Sequence, residues 1–454
     1  MKLEPEVEYG NKEYKLKIIN KENDRIEQLA SQLKWRLNEG NGEALYYIGV
    51  NDDGSIIGLS SNELKETIKN IKKMCEKINS KIISTEKINK YYVLKIRFTE
   101  NEIKSKRILF IGPHNGGKTT LISNLSRNTK DNGNGYSRNY VFNHKHEIYS
   151  GMTSSISIEN VKLCQNNIDI ILNLIDTPGN IKYRKTLIRA INKYLPDLIL
   201  LILNPTEIDI NIIKFYLDII TFYDYEFKII FCKNDLYNRN NKNFLIKFIN
   251  EYLNKKFCLI EINNINNLNY NKLLKLLINC EINKFCKDNI KIQVCDKLSI
   301  PNLKKIYTGL TFDDILINEK YYIHSPNFSK EIIIDSIYFN DKSIKKIKKN
   351  NLITFTILND DIYDNKSDII ITKNNDYIKF KELIIRCNKD IKNKNVLCFF
   401  NNQFNKLYIE KLNNNLYKIT NIDNSYFINI NSKIIIKDNN EYYFCYLITN
   451  YKNK

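Results

Sequence analysis

Eight residues, GPHNGGKT (Gly112–Thr119), stand between an apolar run at Ile108–Ile111 and the helix-forming stretch TLISNL, and no other feature restricts the chain as much. The spacing G-x-x-x-x-G-K-[ST] at the junction of a buried strand and a helix is the form of a loop that wraps phosphate groups. Gly112 and Gly117 let the backbone turn its N–H groups inward, with Asn115, Gly116 and Thr120 completing the cradle. Lys118 can neutralise β- and γ-phosphate oxygens, and the Thr119 hydroxyl can ligate Mg²⁺. His114 reads as a spacer within the loop. A chance glycine-rich turn would lack the strand and the helix on either side.

Further apolar runs at Ile168–Ile175, Leu198–Leu203, Phe227–Cys232 and Phe257–Ile262 alternate with amphipathic helical stretches, which predicts a mostly parallel sheet wrapped by helices. Two of these runs end in chemistry. Asp176 of DTPG can hold Mg²⁺ through water, and the Gly179 N–H can meet a γ-phosphate. In FCKND, Asp235 can accept from two guanine N–H groups while the Lys233 stem covers the ring. A site built on such paired hydrogen bonds rejects an analogue that lacks them, so guanine is favoured over adenine. Asn263 and Asn264, after the last strand, are candidates for the final base-contacting loop. In this order the signals predict a P-loop GTPase domain over residues 104–286 that takes GTP or GDP with Mg²⁺. One departure is Cys232, where such GTPases carry Asn or Thr to tie the base loop to the phosphate loop.

A chain of 454 residues exceeds what one hydrophobic core serves, so the fold class is multidomain. Residues 1–100 read as an α+β leader: a strand Tyr14–Ile19, a helix Glu22–Leu37, two short strands about a turn at Asp52–Gly54, and a helix opened by Ser60 with Glu63 three residues on, a capping-box spacing. Strands near Lys81–Ile88 and Tyr91–Phe98 close this unit. Beyond 287, helical periodicity gives way to short β segments such as Ile332–Phe339, Asn351–Ile357, Tyr408–Leu412 and Tyr442–Thr449, which predict two small β-barrels at 288–370 and 371–454.

A net charge of +19 points to a polyanionic partner, RNA rather than DNA, although drift toward Lys, Asn, Ile and Tyr would raise the charge of any surface. The basic run KSIKKIKK, Lys342–Lys349, reads equally as a solvated face or as RNA contact. Ten cysteines without a C-x-x-C pair read as reduced, buried thiols. His144 and His146 read as switch-loop packing or phosphate contact in preference to a metal site. No apolar leader precedes the first domain and the longest apolar run is too short to span a bilayer, so the expectation is a cytoplasmic, monomeric protein without membrane contact.

Three segments carry a more specific resemblance. DNGNGYSRNYVFNHKHEIYSGMTSS, Asp131–Ser155, resembles the long switch I of the eukaryotic and archaeal GTP-binding protein 1 and 2 family, relatives of elongation factor Tu. QLASQLKWRLNEGNGEALYYIGVNDDGSIIGL, Gln28–Leu59, is similar to that family's leader domain, and NIKYRKTLIRA after DTPG resembles its switch II helix. The likeness is clear over about the first 285 residues and faint beyond, through IQVCDKLSIPNLKKIYTGLTFDD. It implies that Thr153 ligates Mg²⁺ and senses the γ-phosphate, that Asn115 helps hold a monovalent cation, and that the barrels hold tRNA or face the ribosome.

The resemblance also implies a histidine after DTPG to orient the attacking water, where this chain has Asn180. Lys118, Thr153 and Asn180 are therefore the candidate catalytic residues, and hydrolysis is expected to be slow because a short amide carries no imidazolium charge. The expected function is a GTP/GDP switch of the translation-factor type acting with tRNA, the ribosome or RNA quality control. The alternatives are a degenerate GTPase that binds nucleotide structurally as an RNA or protein adaptor, and a rescue factor whose hydrolysis depends on the ribosome.

Overall fold

The computed structural model describes residues 2–19, 23–40, 42–98, 102–142, 144–165, 168–236, 238–254, 257–266, 268–283, 290–299, 304–325, 328–340, 342–358, 369–374, 380–387, 389–400, 403–413, 415–420, 433–439 and 441–452. Cys286 and residues 300–303 lie outside them. Two compact units are formed, residues 1–104 with 164–169, and residues 105–163 with 170–454.

The first unit runs β1 (Lys12–Lys15), α1 (Asn23–Glu39), β2 (Glu43–Ile48), α2 (Ser61–Lys77), β3 (Ser80–Ile88) and β4 (Tyr91–Phe98), with sheet order β1-β2-β4-β3. Alternation along EALYYI buries Ala44, Tyr46 and Ile48 in one core with Leu33 and Leu37 of α1 and Ile71 and Met74 of α2. The first strand stops at Lys15, short of the expected Ile19. Side chains of α2 take over there: Ile18 N donates to Thr67 Oγ1 at 3.1 Å and Asn70 Nδ2 to the Ile18 carbonyl at 2.9 Å. Ser60 and Glu63 form a reciprocal capping box, Ser60 N donating to Glu63 Oε2 at 3.0 Å.

The second unit opens with β5 (Glu102–Ile111), α3 (Lys118–Arg127), α4 (Lys145–Ser150), β6 (Ser157–Gln165), β7 (Ile168–Asp176), α5 (Arg184–Tyr194), β8 (Leu198–Leu203), α6 (Ile210–Tyr223), β9 (Phe227–Phe231), α7 (Arg239–Leu253), β10 (Leu259–Glu261) and α8 (Tyr270–Asn279). Its sheet has the order β10-β9-β8-β5-β7-β6, and β5, β8, β9 and β10 are parallel. Every residue of LILLIL in β8 is buried, as a strand covered on both faces requires. The chain leaves β5 toward β7 and returns to its other side with β8, so the loop after β5 sits where the order reverses, the usual place for a ligand in an open α/β sheet.

Beyond the sheet come β11 (Ile290–Leu298), β12 (Ile306–Thr311), β13 (Ile315–Leu316), β14 (Lys320–His324), β15 (Ser329–Phe339), β16 (Lys342–Ile344), β17 (Lys346–Ile347), β18 (Leu352–Ile357) and β19 (Ile370–Thr372). These form a sheet of order β14-β19-β11-β12-β18-β15-β16, and a β14–β15 pairing joins the ends of its first six strands into a ring. Then β20 (Phe380–Cys387), β21 (Asn395–Phe400), β22 (Gln403–Asn413), β23 (Leu416–Thr420), β24 (Lys433–Asp438) and β25 (Glu441–Lys452) make a closed barrel. The described cysteines are all free; Cys164 and Cys258 are exposed, against the expectation of burial, while Cys75, Cys232, Cys280, Cys387, Cys398 and Cys445 are buried. Among the described residues no helix is long and apolar enough to cross a membrane.

The sequence of α6, INIIKFYLDIITFY, is apolar nearly all round because both sides are covered. One side faces the sheet. The other meets the closed barrel, where Phe215 lies 5.4 Å from Tyr442, and Phe222 lies 5.0 Å from Phe444 and 5.2 Å from Tyr446. The preceding helix is held by the other β unit: Tyr194 OH donates to Asp296 Oδ2 at 3.2 Å, Lys193 Nζ meets the same carboxylate at 2.5 Å, and Gln293 Nε2 donates to the Asn192 carbonyl at 3.0 Å. Phe222→Ala should therefore cost about 3–5 kcal/mol in chemical denaturation and leave the closed barrel protease-sensitive. Phe244→Ala, at an exposed position of α7, should change stability by less than about 0.5 kcal/mol.

Candidate functional site

The phosphate loop is shaped by lack of room as much as by torsion. A Cβ added to Gly112 would lie 2.1 Å from the Ile202 carbonyl oxygen, and one on Gly116 would lie 3.0 Å from the same atom. Gly112 and Gly117 have φ of +139° and +94°, and the exposed Asn115 also sits at positive φ, +61°. Lys118 opens α3 and is buried; its Nζ donates to the carbonyls of Gly112 and Pro113, each at 2.9 Å. Thr120, half-buried, follows on the first turn.

Thr119, Thr153 and Asp176, distant in sequence, converge. Thr119 Oγ1 donates to Asp176 Oδ2 at 2.5 Å, Thr153 Oγ1 to the same oxygen at 3.3 Å, and the two hydroxyls lie 2.8 Å apart. Asp176 ends β7 fully buried, and its Oδ1 has no hydrogen-bond partner among the described residues. Burial pushes the Asp176 carboxyl up to about 6 against the opposing pull of the Lys118 charge and the two hydroxyls. Burial likewise brings Lys118 down to about 8, with Asp176 opposing. Two hydroxyls and a carboxylate with an unsatisfied oxygen are hard donors, so these residues fit Mg²⁺, which would supply charge to a phosphate beside Lys118.

What holds Thr153 in this cluster is Glu147, whose part the sequence reading missed. Its Oε1 accepts from the backbone N–H and hydroxyl of both Ser154 and Ser155, at 2.7–3.1 Å, and its Oε2 accepts from His144 N at 3.0 Å. Burial alone would raise this carboxyl, but the bonds from Ser154, Ser155 and His144 hold it down at about 2. A glutamate three residues after the cap of a short helix and seven before a serine pair was the available signal. His144 and His146 stack at 5.3 Å, and His146 Nε2 lies 2.8 Å from Ser154 Oγ. Among the described residues no group of three His, Cys, Asp or Glu side chains is placed to hold a metal.

Gly179 follows within DTPG at a backbone contact: a Cβ there would lie 2.5 Å from Lys118 Nζ and 2.6 Å from His114 N. Tyr216 of α6, for which an apolar helix gives no signal, donates to the Gly112 carbonyl at 2.8 Å and approaches that of Gly179 at 3.4 Å. Asn180 is not free in this arrangement. Its Oδ1 accepts from Lys182 N at 3.1 Å and caps the turn Ile181–Tyr183.

At the far end of the phosphate loop, Lys233 has φ of +59° and Asp235 is exposed, with Oδ1 accepting from Asn263 Nδ2 at 2.9 Å. Asn263 Oδ1 accepts in turn from Ile265 N at 2.8 Å. Asn264 accepts from Tyr270 OH at 2.8 Å and donates to the Gly117 carbonyl at 3.5 Å. The buried Cys232 packs under Gly117, where an added Cβ would lie 3.4 Å from its sulfur. The tie from base loop to phosphate loop, lacking Asn or Thr at 232, thus runs through Asn264.

Residues 104–283 match the elongation factor Tu GTP binding domain family. Human (Homo sapiens) GTP-binding protein 2 is 35% identical over 232 residues, covering 44% of this chain and 38% of that protein. Xenopus laevis GTP-binding protein 1 is 23% identical over 405 residues, covering 76% of this chain and 62% of that protein. The chain thus matches less than two thirds of the length of either relative. The fold is that of the bacterial selenocysteine-specific elongation factor EF-Sec, with a TM-score of 0.63 at 17% identity, covering 76% of this chain and 58% of that one. Residues 104–283 are accordingly a GTP binding domain of the elongation factor Tu type, and over the stretches matched the chain is homologous with GTP-binding proteins 1 and 2.

Proposed function

We propose that the chain binds GTP or GDP with Mg²⁺ along the phosphate loop and acts as a switch of the translation-factor type, hydrolysing GTP slowly. The observation that carries this reading is the meeting of Thr119, Thr153 and Asp176. Thr153 lies on the segment that Glu147 orders, so a cation and a γ-phosphate at this point would bias that segment directly. The helices after DTPG are gripped by the two β units, through Asp296 and through Phe444 with Tyr446. A change in the nucleotide therefore has a packed route to the barrels. Support for tRNA, the ribosome or an RNA quality-control partner comes from the +19 charge and from exposed Lys342, Lys345, Lys346, Lys348 and Lys349. The domain boundaries near 100, 286 and 370, and a monomeric, cytoplasmic protein, belong to the same reading.

The capped state of Asn180 favours a second reading, an adaptor that binds GTP without turning it over. Single-turnover hydrolysis of radiolabelled GTP, with and without ribosomes, separates the two: product above the buffer control supports the switch, and none supports the adaptor. Ribosomes should pellet more of the protein with a non-hydrolysable GTP analogue than with GDP, and equal pelleting would count against a ribosomal partner.

Purified protein should bind GTP and GDP far more tightly than ATP, and Asp235→Ala should remove the preference. Equal competition by ATP against a fluorescent guanine nucleotide would refute the base assignment. Lys118→Ala should abolish binding of both nucleotides, because its ammonium is the charge buried within the loop itself. Glu147→Gln should lower affinity for a GTP analogue by about tenfold while leaving GDP within about threefold, since hydrogen bonds to a charged acceptor are lost only where the switch segment must be ordered. Equal losses for the two nucleotides would mean that Glu147 serves the fold and not the switch.

A further inference from the structure

Asn180 leaves a chemical vacancy, because its amide oxygen is committed to Lys182 N and is turned to capping. Beside it lies an open cavity of about 380 Å³ lined by His114, Gly179, Asn180, Ile181, Glu207 and Ile212, among others. His114 lines this cavity from the phosphate loop. Its backbone touches the DTPG segment, as the 2.6 Å separation between His114 N and a Cβ built on Gly179 requires. The two segments that would flank a γ-phosphate are thus in contact here, and His114 belongs both to that contact and to the cavity lining.

The ring is half-buried and has no hydrogen-bond partner among the described residues, unlike the rings of His146 and His324. A ring nitrogen that is open to a cavity and not engaged by the protein can bond to a water there. A neutral imidazole has one nitrogen that accepts and one that donates, the pair of roles that orienting a water demands.

We propose that His114 supplies the water-orienting imidazole for GTP hydrolysis that Asn180 does not. The proposal rests on the reading of residues 112–119 as a GTP site. The ring accepts a hydrogen bond from the attacking water and directs its oxygen at the γ-phosphorus. As that oxygen bonds to phosphorus, the bond from phosphorus to the β–γ bridging oxygen breaks, and its electron pair leaves on GDP. The proton released by the water ends on the inorganic phosphate, so the ring returns to its neutral form. Glu207 and Ile212 bound the cavity and limit where the water can sit.

The test uses the full chain with radiolabelled GTP under single-turnover conditions, in parallel with equilibrium binding of a fluorescent GTP analogue, each with and without ribosomes. His114→Ala should bind the analogue within about threefold of the natural protein yet hydrolyse GTP at least about a hundredfold more slowly, the low end of what one general acid–base group contributes. His114→Gln should retain an intermediate rate, and adding Asn180→His to His114→Ala should restore hydrolysis. Normal binding with an unchanged rate in His114→Ala overturns the proposal and leaves the GTP site standing, as does normal binding with no turnover by the natural protein under either condition. Failure of the natural protein to bind guanine nucleotide removes the GTP site itself, and the proposal with it.

Discussion

The site is organised around one carboxylate sealed from water. Asp176 closes the strand Ile168–Asp176 with no exposed surface, and a charge in that position is tolerated only if the surroundings answer it. Lys118, Thr119 and Thr153 provide that answer, and each comes from a different stretch of chain. Burial works against both charges, pushing the Asp176 carboxyl up to about 6 and the Lys118 ammonium down to about 8. The remaining carboxylate oxygen has no hydrogen-bond partner among the described residues and would suit a hard cation.

Around this centre the backbone is packed so closely that side chains are excluded. Gly112 rests on the Ile202 carbonyl and Gly179 on the Lys118 ammonium and the His114 amide, so the phosphate loop and the DTPG segment pack backbone against backbone. Tyr216 adds a third element by bonding to the carbonyls of both glycines. The same helix carries Phe215 and Phe222 into the closed barrel. A displacement of the DTPG segment therefore reaches the barrel through one rigid helix, without a long relay of small contacts.

Much of this was legible in the chain. GPHNGGKT, DTPG and FCKND each end a run of buried β residues, and local composition at a strand end is what sequence reports best. The capping box at Ser60 and Glu63 was legible for the same reason, since three residues of spacing fix its geometry. Other parts were not. Glu147 reads as one more acid near two histidines, and only the fold turns Ser154 and Ser155 toward it. Tyr216 is one aromatic among many in an apolar helix, and its hydroxyl acquires a purpose only where Gly112 and Gly179 meet.

The sequence by itself determined the class of ligand, because phosphate, cation and base are recognised by short contiguous motifs whose side-chain chemistry is independent of what lies elsewhere. It also determined that several cores were needed, since length and the change of periodicity after the last helix are properties of the chain. Tertiary structure alone decided the partners of each functional group. Thr153 reaches Asp176, Asn264 replaces the missing tie at Cys232, the Asn180 amide turns to Lys182, and His114 is left facing a cavity. The physical reason is that hydrogen bonds and steric exclusion act over a few ångströms, and only the completed sheet brings residues so far apart in the chain within that range.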